Sequence, residues 1–150
     1  MERTPIMKHM FIILAALAFL VFPTLTYAET TDVQAEVPKA FFVNLKDGDT
    51  VKSPLAVQFG ITGMTIAPAG TNEPGTGHFH LLIDTQLTDE EMQYAIPSDD
   101  QHLHFGKGQT ETTVTLSPGA HTLQLVMGDG NHMLHHPPVM SDIIHVTVEE

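Results

Sequence analysis

From residue 40 to the C-terminus, apolar and polar residues alternate in short runs, broken by glycine, proline or aspartate about every ten positions. "AFFVNL" (40–45) runs into the turn signal "KDGD". In "TVKSPLAVQFGI" (50–61) Val57 and Phe59 alternate against Gln58, and Pro54 puts the first part of the segment at an edge or a kink. "HFHLLID", "HLHFG", "ETTVTL", "HTLQLVM" and "SDIIHVTV" continue the pattern, with Thr112, Val114 and Leu116 inward and Glu111, Thr113 and Thr115 outward. A period of two predicts strands whose successive side chains fall on opposite faces.

"LTDEEMQYAIP" alone has helical character. Thr88 and Glu91 make a capping box and Pro97 closes the segment, which allows at most one short helix near residues 88–96. Residues 62–77, "TGMTIAPAGTNEPGTG", have no strand pattern beyond Met64 to Ile66 and read as a long loop, and loops of such length in a compact domain are usually functional or disordered; the later "GDGNHMLHHPP" reads as a second special loop. The expected fold is therefore all-β, an antiparallel immunoglobulin-like β-sandwich.

The amino terminus follows a different pattern. Arg3 and Lys8 precede an apolar run from Met10 to Phe22, and "LTYA" ends in a small residue, the signature of a signal peptide cleaved after Ala28. The run falls short of the ~20 residues a spanning helix needs, and Pro23 interrupts it. The organisation expected is signal peptide 1–28, a polar flexible leader 29–38 and a single domain 39–150, periplasmic or secreted, with no membrane span after cleavage.

Cleavage removes Arg3 and Lys8 against Glu2, taking the formal charge from −12 to −13. Such a surface repels phosphate backbones, so nucleic acid is not an expected partner. Cysteine is absent. An exported domain without disulfides is held by burial alone, and a soft-metal site in it must use histidine and methionine.

Ten histidines are present, and all but His9 lie between His78 and His145. Strand alternation sends His78 and His80 to one face and Phe79, Leu81 and Ile83 to the other. The same parity groups His102 with His104, opposite Leu103 and Phe105. Imidazoles two residues apart stand ~7 Å apart at Cα, a span that lets both reach one ion at ~2.0–2.1 Å. Leu82 breaks the polar pattern on that face.

The second loop adds His132, His135 and His136 with Met133, and Met64 lies in the first. Thioether suits Cu(I) and imidazole suits copper in either oxidation state or zinc. The competing use of Met64 and Met133 is core filling. His121, in phase with Leu123 and Leu125, reads as a rim residue bonded to a backbone carbonyl, and His145 reads as a surface residue. Asp84 and Asp129 are candidates to orient a ligating imidazole, against a plain role in turns.

At "GMTIAPAGT", "GTGHFHLLID", "QHLHFGKGQTE" and "PGAHTLQLVMGDGNHMLHHPPVMSDIIHVTV" the chain resembles an uncharacterised bacterial exported family, domain of unknown function 4399. The family pattern has a third histidine where this chain has Phe79, and an acid or amide where it has His136. The resemblance thus leaves His78 and His80 on the strand, and His132 and His135 in the loop, as the stronger candidates. It implies a small exported protein and no particular activity.

The expected function is an exported His-rich metal-binding protein that buffers, carries or delivers an ion, copper favoured over zinc. Its metal residues are His78, His80, His102, His104, His132, His135, Met64 and Met133. No organic cofactor is expected, and the partner would be a periplasmic metalloprotein or transporter. Two alternatives stay open: a metal-dependent redox or hydrolytic enzyme, and a metal-free interaction module with a buried histidine network. Nucleophilic catalysis lacks a motif, since there is no Gly-x-Ser-x-Gly and no cysteine.

Overall fold

The structure is a computed structural model and describes residues 36–150; the signal peptide and most of the leader expected from the sequence lie outside the described residues. Nine strands follow in chain order: β1 (Lys39–Phe42), β2 (Asp49–Val51), β3 (Leu55–Thr62), β4 (Thr65–Ile66), β5 (Thr76–Ile83), β6 (His102–His104), β7 (Glu111–Val114), β8 (Gly119–Gly128) and β9 (Ile144–Val148). The fold is all-β and its pairings are mainly antiparallel, compatible with the expected immunoglobulin-like sandwich. One sheet runs β1-β3-β7. The other runs β2-β9-β8-β5-β4, with β6 also paired to β5. The short pairings β2–β9 and β4–β5 are parallel.

One core joins the sheets. Ala40, Val57, Phe59 and Val114 come from the smaller sheet, and Phe79, Leu81, Leu123, Leu125, Met127 and Val146 from the larger. Phe59 stacks between them, 5.2 Å from the Phe79 ring and 4.8 Å from that of Phe105.

The segment 50–61, one strand by its pattern, is two. β2 lies at the edge of the larger sheet, and after the break at Lys52–Pro54 β3 enters the smaller one. Proline cannot donate to a ladder, so the chain changes sheets there. The capping box forms as expected, with Glu91 Oε2 accepting from the Thr88 amide and hydroxyl, both at 2.8 Å. It yields only a 3-10 turn over Glu91–Gln93. No helix among the described residues is long and apolar enough to cross a membrane.

β5 positions the site. All eight of its residues are buried, because each face has its own apolar cover. Phe79, Leu81 and Ile83 enter the main core, while Leu82 joins a smaller cluster with Leu87, Ile96, Val126 and Leu134. Leu82 is thus no anomaly: it anchors a second apolar layer beside the histidines.

Candidate metal centre

Register brings the imidazoles together. On β5, His78 pairs with Gly128 of β8, and His80 pairs with Val126 of β8 on one side and His104 of β6 on the other. The fourth ring comes from the loop after β8. His132 has a left-handed backbone (φ 66), unusual for a residue with a side chain. Its amide donates to Asp129 O at 2.9 Å and its carbonyl accepts from the Ile96 amide at 2.8 Å. Asp129 Oδ1 accepts from the amides of Asn131 and Met133 at 2.8 and 2.9 Å, which folds the loop. Asp129 therefore shapes the turn, and its Oδ1 is committed to loop amides.

Ring centroids of His78, His80, His104 and His132 lie 4.8 to 5.9 Å apart in all six pairings. Their Nε2 atoms face one another, His80 to His78 at 3.2 Å and His132 to His104 at 3.1 Å. Ligand atoms of His78, His104 and His132 all lie within 4.8 Å of one another, an arrangement able to hold a metal ion. A tetrahedral ion with bonds of ~2.0–2.1 Å has ligand-to-ligand edges of ~3.3 Å. The 3.2 and 3.1 Å separations within the two facing pairs are close to such an edge.

Two glycines make room. A Cβ on Gly128 would stand 3.2 Å from His80 Nε2 and 3.4 Å from His132 Cα, and one on Gly106 would overlap the His104 ring. Neither glycine was singled out by reading the sequence. Their role depends on cross-strand neighbours that no local pattern reports.

The environment disfavours protonation of His78, His80 and His104. His78 and His80 are 0% exposed. Burial, then the neighbouring imidazoles, push His78 down to about 4 and His80 to about 3. His104 is also lowered, by burial and by His132. A neutral imidazole keeps the lone pair that a metal requires.

The other expected ligands fall elsewhere. His102 pairs with Leu82 in the β5–β6 register. Its Nδ1–H donates to Asp99 Oδ1 at 2.8 Å, leaving a buried Nε2 without a hydrogen-bond partner. His135 lines a cavity with Met64 and His136, and Met64 packs on the main core, across β5 from the imidazoles. Met133 contributes main-chain bonds to the loop turn.

Asp84 orients no member of the cluster. It accepts from His121 Nδ1–H at 2.7 Å and from the Thr122 amide at 2.8 Å. His121 does bond a backbone carbonyl, Ser117 O at 2.9 Å. His145 is exposed and donates from Nδ1 to Asp47 at 2.9 Å.

Fold and site together define an all-β sandwich-like domain carrying a histidine cluster able to hold a metal ion. Residues 57–149 match the family model described as domain of unknown function (DUF4399), and the chain belongs to that family. No curated protein and no solved structure matches it.

Proposed function

We propose that the protein binds a copper ion, in preference to zinc, through His78, His104 and His132 with His80 at their side, and that it buffers, carries or delivers that ion outside the cytoplasm. The observation that carries the reading is the grouping of ligand atoms of His78, His104 and His132 within 4.8 Å of one another, with two Nε2 pairs, His78–His80 and His104–His132, at separations near a coordination edge. Copper is favoured because Cu(II) outranks Zn(II) at nitrogen donors. The acidic surface raises local cation concentration, and the amino-terminal pattern supports export.

A metal-free network is the alternative reading, in which the facing Nε2 atoms of His78 and His80, and of His104 and His132, hydrogen-bond to each other.

The test is a titration of the purified, untagged protein with Cu(II) and Zn(II), with His78→Ala/His104→Ala beside the wild type. One tightly held ion in the wild type, weakened roughly a hundredfold or more in the variant, supports the reading. Equal uptake by both proteins, or none by either, overturns it.

A further inference from the structure

The histidines expected at one site divide between the two faces of β5. Gly77 sits on the face opposite His78 and has no side chain to fill its place. A Cβ there would lie 3.0 Å from His135 Nε2, 3.2 Å from Met127 Cε and 2.7 Å from Gly128 O. The imidazole of His135 and the methyl of Met127 thus converge on the space that glycine leaves. His135 Nε2 is buried and has no hydrogen-bond partner, a costly state for a polar atom. The same ring lines a cavity of about 410 Å³ whose other walls include Met64, His136, Pro137 and Val139.

The donor chemistry here differs from that of the cluster. On the side of the cavity that holds Met64, His135 is surrounded mostly by apolar residues, a poor host for a hard, strongly hydrated ion. Thioether is a soft ligand that selects Cu(I), and a single charge costs less to desolvate than a double one. We infer that His135, Met64 and Met127 form a second cation site, for a soft monovalent ion of the copper(I) class, separate from the four-imidazole cluster and on the other face of β5. The site stands on its own residues and does not require the cluster to bind metal.

Silver(I), soft, monovalent and redox-inert, is the probe. The purified protein is titrated in chloride-free buffer as wild type, His135→Ala, Met64→Leu and the cluster variant His78→Ala/His104→Ala, while the methionine methyl resonances are followed by NMR. The expected result is a silver ion that persists in the cluster variant and binds roughly tenfold or more weakly in His135→Ala and in Met64→Leu. The Met64 and Met127 methyls should shift on addition, and Cu(II) uptake should be unchanged in Met64→Leu. Silver affinity indifferent to both single variants, or silver uptake lost altogether in the cluster variant, overturns the second site. Should His135→Ala fail to fold, the near-isosteric Met64→Leu and the methyl shifts decide it. Silver retained with Cu(II) refused would overturn the cluster reading alone.

Discussion

β5 begins among imidazoles and ends against a carboxylate, and its two ends treat histidine in opposite ways. At His78 and His80 each ring faces other rings in a buried space, and protonation is driven down. Just past the strand, His121 donates from Nδ1 to Asp84 and from Nε2 to Ser117 O. Both partners are acceptors, an arrangement that favours the doubly protonated ring. The Asp84 bond, with help from Ser117, raises its pKa. Asp84 itself holds a left-handed backbone (φ 56), the strain of a residue fixed by its bonds. One residue type thus serves as a lone-pair donor at one end and a cationic clamp at the other, and only its neighbours decide which.

The sharpest way to break this contrast is acid. The folded-state values of His78 and His80 lie below the imidazole value of 6.5, so the unfolded chain binds protons first as pH falls. Their contribution is complete above about pH 6.5 and is lost below it, by up to about 1.4 kcal/mol per pH unit for each ring. Denaturant midpoints of the metal-free protein should drop steeply between pH 7 and 5, and a flat profile would mean that the rings are not held neutral by the fold.

Gly128→Ala comes next. Its new methyl would press on His80, Ile96 and the His132 backbone together, and overpacking of this kind costs about 1–3 kcal/mol. Thermal unfolding should register that loss along with weaker metal uptake.

Gly106→Ala separates the two effects. Its nearest contacts are the far end of the His104 ring and the Ala69 side chain, and a partly exposed ring can swing aside. Unfolding should move by less than about 1 kcal/mol, while copper binding weakens by roughly tenfold; unchanged binding would remove His104 from the site.

The smallest effect belongs to the other end of β5. Asp84→Asn removes the charge that holds His121 protonated. Because a raised folded-state pKa stabilises below the unfolded value and fades as pH rises through the folded one, the variant should lose more stability at pH 5.5 than at pH 8, by about 1 kcal/mol or less. Equal losses at both pH values would show that the clamp is not ionic.

These contrasts explain how far the sequence could be read. Period-two alternation located the strands and sent His78 and His80 to one face, because parity is a property of a single strand. It could not supply register. Two His-x-His pairs suggest four ligands from two strands, yet His104 stands opposite His80 while His102 stands opposite Leu82 and turns to Asp99. The vacated place is taken by His132, whose backbone conformation depends on the Asp129 turn and on Ile96, contacts made only in the folded chain. His135 and Met64 were legible as metal-type side chains, but not as residents of the opposite face.

The small apolar layer of Leu82, Leu87, Ile96, Val126 and Leu134 has a kinetic meaning as well as a structural one. It lies on the same face of β5 as His80, which is 0% exposed, while His104 and His132 form the more accessible rim. For the ion proposed above, the more accessible imidazoles, His104 and His132, would let go first and the buried His78 and His80 last. Transfer to another molecule would then proceed by exchange of ligands at that rim, one imidazole at a time, without the ion passing free into water.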